Sequence, residues 1–254
     1  MHSSFIIDPS NEPNQHLVLE LSDDTASFCW TAGKTLTGLR TWKYEKIKDL
    51  SSILEHLPAR PGKIFVSLNT RDFVLLPVDI TISAPATLEN ISGKGDGVVY
   101  ERDINGERGR IAFRVPLELE NLLRQHFDEV HFSHSLVCNL PKDQEIAVVF
   151  YEKNFSLRMN YNGLKLLNIY RYDSPAEVVY ILMQACNVYG VNPEKCSLLL
   201  SGMIDENSKL YNELYRFFLN ISFSGTGKNN YSEAFSNYPA HYFDHFHSLA
   251  GCAS

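Results

Sequence analysis

The sequence predicts an α/β protein built from two copies of one plan, β-β-β-α-β-α, laid end to end. Three observations predict it. Glu145 to Gly202 reads as three strands, an amphipathic helix and a fourth strand. Leu17 to Asn69 gives the same order in different residues. The turn between the second and third strands falls at the same place in both copies, at Asn162-Gly163 and at Gly33-Lys34. Residue identity between the copies is slight, so element order and turn position carry the duplication.

The chain opens with a polar lead-in, Met1 to Gln15, in which Phe5-Ile-Ile7 can pair at a sheet edge. Leu17-Val-Leu-Glu-Leu21 is the first strand, and Ser22-Asp-Asp24 its polar turn. Ala26, Phe28 and Trp30 then alternate with Ser27, Cys29 and Thr31, the period of two that marks a strand. Leu36, Leu39 and Trp42 lie in the third strand. Ile47, Leu50, Ile53, Leu54 and Leu57 recur at helical spacing, and Pro58 to Gly62 stop that helix. Ile64-Phe-Val-Ser-Leu68 is the fourth strand.

Phe73 to Pro77 is a short extended piece. Ile80 to Gly97 holds prolines and three glycines near its end and reads as a surface excursion, with a short helix near Ala86 to Ile91. Val98 opens a strand, and Asp103 to Gly106 is a turn. Ile111 to Val115 is a strand, and Pro116 starts a helix with Leu117, Leu119, Leu122, Leu123 and Phe127 on one face. Val130 to Leu140 reads as extended throughout. Pro141-Lys-Asp143 marks the boundary, so the halves are residues 1–141 and 142–254.

In the second half Ile146 to Phe150 is an apolar buried strand, and Phe155, Leu157 and Met159 alternate with polar residues. Asn162-Gly163 turns the chain because both residues accept positive φ. Leu164 to Tyr170 is the third strand. Asp173 or Ser174 caps a helix with Pro175 at its first position, and Gly190 ends it. Cys196 to Leu200 is the next strand, closing at Ser201-Gly202. Leu210 to Ile221 is a helix-to-strand passage, and Tyr231 to Ala250 is aromatic-rich and reads as helical.

Composition bounds the function. The 254 residues are 44% hydrophobic and 21% charged, which is ordinary for globular domains. A formal charge of −7 argues against nucleic-acid binding, which uses a basic face. No run is long enough for a transmembrane helix, and no signal-peptide pattern opens the chain, so the expected location is the cytoplasm. The five cysteines form no CxxC pair and read as buried, reduced thiols.

The duplicated plan resembles the actin-like ATPase superfamily, which shares its ribonuclease-H-like sheet order with several nucleases. Arg110 to Asn139 looks like the strand, helix and strand that end the first half of the pilus-assembly platform protein. Four phrases resemble a Bacteroidetes family of unknown function: Leu17 to Ser22, Phe73 to Pro77, His131 to His134, and Tyr238 to Phe243. The resemblance covers nearly the whole chain. It implies an actin-like fold of two halves with a cleft between them.

A member that hydrolyses ATP needs a glycine-rich turn and an Asp in the first hairpin of each half, so that backbone N–H groups approach phosphate and a carboxylate holds Mg²⁺ through water. The first hairpin offers Glu20, Asp23 and Asp24 without a glycine, and the second, Phe150 to Asn154, also lacks one. The adenosine position offers Ser201-Gly202-Met203, with a single glycine. These departures predict no catalytic residues, no cofactor and no bound metal. The expected function is a scaffold that binds a protein partner without ATP turnover. The rival is a Mg²⁺-nucleotide-binding ATPase that uses Glu20, Asp23, Asp24 and Gly202. Ser224 to Lys228 imitates a phosphate loop, but GxxxxGK[ST] fails at both ends. His241 and His245 stand four apart with His247 nearby, a spacing that chelates zinc on one helix face; Tyr242 replaces the Glu of HExxH, and an aromatic-packed helix is the expectation. A ribonuclease-H-like nuclease needs converging carboxylates, and only Glu20 is suitably placed.

Overall fold

The computed structural model describes residues 3–9, 15–57, 62–77, 79, 83–104, 106, 109–138, 140–225 and 230–253. The chain forms two compact units. Unit 1 is Met1–Cys138, Lys228–Asn237 and Phe246–Ser254; unit 2 is Asn139–Gly227 and Tyr238–His245.

Unit 1 begins with β1 (Ser3–Ile7), β2 (His16–Leu21), β3 (Thr25–Ala32), β4 (Thr35–Lys43), α1 (Ile47–Glu55) and β5 (Lys63–Leu68). Then come β6 (Phe73–Pro77), α2 (Ala84–Ser92), β7 (Gly97–Asp103), β8 (Gly109–Pro116), α3 (Leu117–His126) and β9 (Glu129–His134). The main sheet has the order β1-β4-β3-β2-β5-β9. The meander β2-β3-β4 is antiparallel, whereas β5 and β9 run parallel to β2. β1 covers the open edge of β4, as Phe5-Ile-Ile7 suggested.

The expected β-β-β-α-β passage is therefore present as β2 to β5. α1 turns its apolar stripe, Leu50, Ile53 and Leu54, into the core. The Asp49 carboxylate accepts the backbone N–H groups of Glu45 and Lys46 and closes the helix start. α3 carries Glu118 and Glu120 in its first turn and Arg124 and His126 in its last, the charge order that favours a helix dipole.

The passage between β5 and β9 is more ordered than its composition implies. β6-β8-β7 form a separate three-stranded sheet, and α2 packs Ala84 and Leu88 onto Val74, Leu76 and Ala112. The glycines after α2 serve packing. Arg114 is buried beneath them, bonded to Asp72 at 3.0 Å and to the Gly93 carbonyl at 3.1 Å. A Cβ on Gly95 would stand 2.2 Å from the Arg114 guanidinium, and one on Gly97 would stand 2.4 Å from the Val115 carbonyl. β8 thus joins this small sheet while β9 joins the main one. Past β9 the chain leaves the extended form expected to Leu140 and makes a 3-10 turn at Ser135–Val137. That turn is anchored by His134, whose Nδ1 accepts the Leu136 N–H and whose Nε2–H donates to the Thr70 carbonyl at 3.0 Å.

Unit 2 contains β10 (Glu145–Phe150), β11 (Asn154–Asn160), β12 (Leu164–Arg171), α4 (Pro175–Tyr189), β13 (Ser197–Gly202), α5 (Lys209–Tyr215) and β14 (Asn220–Phe223). Its sheet order is β12-β11-β10-β13-β14, with β10, β13 and β14 parallel. Asn162 and Gly163 both take positive φ in the β11–β12 turn. α4 is bounded as its sequence predicts: the Ser174 hydroxyl accepts the Glu177 N–H, Pro175 is its first residue, and Gly190 is left-handed at φ +67°. The core beneath it joins Ile146, Val148, Phe150, Leu157, Val178, Leu182, Leu198 and Leu200.

The C-terminal segment is less helical than expected. Tyr231 makes a bridge to Leu36, 3-10 turns occupy Glu233–Phe235 and Ala240–Tyr242, and only α6 (Asp244–Ala253) is α-helical. Cys29, Cys138, Cys186 and Cys196 are buried thiols outside any disulfide, whereas Cys252 is exposed. Among the described residues no helix is long and apolar enough to cross a membrane.

Candidate functional site

Glu20 occupies the penultimate position of β2, buried at 3% exposure. Strand register places it in a row of polar side chains that crosses five strands: Thr41 on β4, Ser27 on β3, Glu20 on β2, Ser67 on β5 and Ser133 on β9. All five are buried. In-register neighbours share one face of a sheet, so this is one polar stripe across that face. The Ser27 and Thr41 hydroxyls bond each other at 3.1 Å. Burial, reinforced by the Glu20 charge, pushes the Cys29 thiol well above its ordinary pKa.

Asp23 and Asp24 lie in the turn after β2. Asp23 is exposed, and the Asp24 carboxylate accepts the Thr25 hydroxyl at 3.0 Å. The turn is closed from within: the Ser22 N–H donates to the Thr25 carbonyl, and the Tyr44 hydroxyl donates to the Ser22 carbonyl at 2.5 Å. Burial first, then the Asp23 and Asp24 charges, raise the Tyr44 phenol far above its ordinary value and keep it a donor.

Unit 2 repeats this geometry. The Tyr151 N–H donates to the Asn154 carbonyl at 2.8 Å, and the Tyr172 hydroxyl donates to the Tyr151 carbonyl at 3.0 Å. Burial, then Glu152, raises the Tyr172 phenol. The polar row recurs as Ser156 on β11, Ser201 on β13 and Ser224 one residue past β14. Register places Val149 on β10 where Glu20 stands on β2. This correspondence was not readable from either hairpin alone, because it depends on which strands pair and in what register.

Gly202 ends β13 at φ +79°. A Cβ there would stand 2.1 Å from the Phe150 carbonyl, and the next residue, Met203, donates its N–H to that same carbonyl at 2.8 Å. The space of the missing side chain is thus filled by the end of β10. Beyond Gly202 the chain borders an open cavity of ≈ 660 Å³, lined by Asp205, Glu206, Asn207, Ser208, Phe223, Pro239 and His241. The Tyr242 hydroxyl donates to the Asp205 carboxylate, and the His241 Nε2–H donates to the Ile204 carbonyl at 2.8 Å. Burial and the bond to Asp205 push the Tyr242 phenol up to about 12. No sequence motif marks this cavity; its residues come from three separate stretches.

His241 and His245 do not share a helix face: His241 lies in the 3-10 turn Ala240–Tyr242 and His245 in α6. The i, i+4 spacing misled because Phe243 separates the two helices with a change of geometry. Among the described residues, no three His, Cys, Asp or Glu side chains group to hold a metal ion. His131 pairs with Glu129, and His134 is buried. Of the loop Ser224 to Lys228, residues 226–228 lie outside the described residues.

No curated protein matches the chain. Solved structures do. A Bacteroides thetaiotaomicron protein described as having an actin-like ATPase fold and unknown function aligns at TM-score 0.73 with 16% identity, over 96% of this chain and 98% of that one. The PilM-PilN type IV pilus biogenesis complex aligns at TM-score 0.63 with 10% identity, over 95% and 99%. The cytoplasmic domain of EpsL, an inner membrane component of the Vibrio cholerae type II secretion system, aligns at TM-score 0.54 with 14% identity, over 95% and 96%. At such identities these likenesses establish the fold alone. The fold is actin-like, as the duplicated plan predicted. The profile of one family, described as "Protein of unknown function (DUF3822)", matches residues 5–221, and the chain belongs to that family.

Proposed function

We propose that this chain is an actin-like binding module that works in the cytoplasm and does not turn over ATP. The observation that carries the reading is the closure of both hairpin turns. Where a phosphate would need free backbone N–H groups and glycine, each turn has an internal hydrogen bond and a tyrosine hydroxyl on its carbonyl. Two further observations support it. Glu20 has Val149 as its counterpart, so only one half offers a buried carboxylate at this position. Gly202 makes room for the Phe150 carbonyl, which fits a magnesium nucleotide poorly.

A binding role draws support from the surface of unit 2. α4 carries no charged side chain after Glu177, and Tyr180 and Val188 are exposed on it. Two neighbours of like fold are described as parts of assemblies, a pilus biogenesis complex and a secretion system. By this reading the partner is a protein. The rival, a nucleotide-binding ATPase centred on Glu20, Asp23, Asp24 and Gly202, is favoured only by the burial of Glu20.

Thermal unfolding with and without millimolar Mg²⁺-ATP tests the reading. A ligand at about a hundred times its dissociation constant adds roughly 2.7 kcal/mol, enough to raise the midpoint by a few degrees. No shift is expected. A clear shift that Glu20→Gln abolishes would establish the rival.

A further inference from the structure

We propose that the cavity beside Asp205 binds an organic cation carried on an apolar stem, the chemistry of an arginine side chain or an alkylguanidinium. The cavity is large enough for such a group, and it combines two kinds of wall. One wall is apolar. Phe223 stands on the edge strand β14 and stacks on Tyr211 at 5.6 Å, which stacks in turn on Tyr215 at 6.2 Å. His241 lies 4.2 Å from Phe223 on the cavity side, and Pro239 completes the wall. This is a surface along which a methylene chain can lie.

The other wall is anionic. Asp205 and Glu206 are consecutive, and among the described residues no Lys or Arg lines the cavity. Asp205 is aimed by the Tyr242 hydroxyl, whose raised pKa keeps it a proton donor across the physiological range. A carboxylate held by one donor keeps further lone pairs for a second, and guanidinium presents paired N–H groups that match it. His241 is fixed through its bond to Ile204, so the ring does not swing into the space. The same charges disfavour phosphate, because two like charges a few ångströms apart repel even in a polar setting. Asn207 and Ser208 add neutral polar rim.

The cavity assignment deepens the binding-module reading and rests on it only for the source of the cation, a side chain of the protein partner. The test titrates the whole chain, followed by NMR, with butylguanidinium, with acetyl-arginine amide, with a Gly-Arg-Gly peptide, and with acetyl-citrulline amide as neutral isostere. Saturable shifts of Asp205 to Ser208, Phe223 and His241 are expected with the three cations. Asp205→Asn with Glu206→Gln should weaken that binding at least about tenfold. Both positions are exposed, so the variant is expected to keep its fold, which the unchanged spectrum elsewhere verifies. Tighter binding of the peptide than of butylguanidinium identifies a partner's side chain as the source; equal binding identifies a free small cation. Absence of shifts at millimolar cation, or equal binding of the citrulline compound, overturns the assignment. Neither result touches the Mg²⁺-ATP melting test, so the two readings fail separately.

Discussion

In unit 1 the turn after β2 is held by Tyr44, and in unit 2 the turn after β10 is held by Tyr172, each through its hydroxyl to the first carbonyl of the turn. The two tyrosines also donate their backbone N–H groups to equivalent carbonyls, Asp24 and Lys153. The scaffold of the repeat therefore survives at the level of single hydrogen bonds. What differs is the furniture. Unit 1 places Glu20 in its polar row, and unit 2 places Val149 there. Unit 1 inserts β6, α2, β7 and β8 between β5 and α3, whereas unit 2 goes from β13 directly to α5. Bonds that shape the backbone were retained in both halves, and the buried carboxylate of β2 was not.

Exchanging the differing residues gives the largest expected effect. Val149→Glu puts a carboxylate into a position that is 4% exposed, and should cost roughly 3–5 kcal/mol. Glu20→Val removes one buried carboxylate from a row of polar neighbours and should cost less, about 1–3 kcal/mol. Urea unfolding of both variants measures the pair. Equal losses would mean that the two positions are alike, and would break the comparison.

Gly202→Ala comes next. Its counterpart, Leu68, is an ordinary strand residue, but Gly202 combines positive φ with the 2.1 Å approach to Phe150. A loss of about 2–3 kcal/mol is expected in the same assay. An unchanged urea midpoint would show that the β13 end can relax.

Tyr44→Phe and Tyr172→Phe should each cost about 1 kcal/mol by leaving a turn carbonyl without its donor. Both phenols are raised above the ordinary value of about 10. A folded-state pKa above the unfolded one means that the stabilisation is complete below about pH 10 and fades as pH rises through the folded values. Ultraviolet titration should show one fewer late-titrating tyrosine in each variant. The helix starts extend the comparison: at α4 the Ser174 hydroxyl accepts the Glu177 N–H and the Glu177 carboxylate accepts the Asp173 N–H at 2.9 Å. Ser174→Ala should cost about 1 kcal/mol. At α1 the cap is ionic: backbone N–H bonds from Lys46 and Glu45 hold the Asp49 carboxyl below its ordinary range. That support is present above the unfolded pKa and is lost as pH falls through the folded one. Amide exchange at Lys46 should rise in acid while that at Glu177 changes less.

Much of this architecture was legible because it is written locally. Asn162-Gly163, Ser174-Pro175 and Gly190 each state a backbone conformation within two residues, and each sits where the sequence placed it. Sequence reading failed where the reason for a residue lies far along the chain. The glycines at 95 and 97 looked like loop solvent exposure, yet they make space for a side chain and a carbonyl some twenty residues on. The histidines at 241 and 245 matched a helical interval that a change of helix type voids. The cavity beside Asp205 draws on residues 205 to 241 and has no local signature. Glu20 was singled out from its hairpin, but its row and its apolar counterpart emerge only from sheet register.

One outer strand in each of the two larger sheets meets the same hazard by different means. β4 is covered by β1, which takes up its outward hydrogen-bonding groups. Among the described residues no strand covers β12, and there the Asn168 side chain accepts the N–H of its own neighbour, Ile169, at 2.8 Å. One amide oxygen thus withholds a donor that a stray strand would otherwise recruit. Uncontrolled strand addition at an exposed edge is a route from a folded sheet to insoluble aggregate. Asn168→Ala would return that donor to the edge and is expected to lower solubility, which light scattering would register.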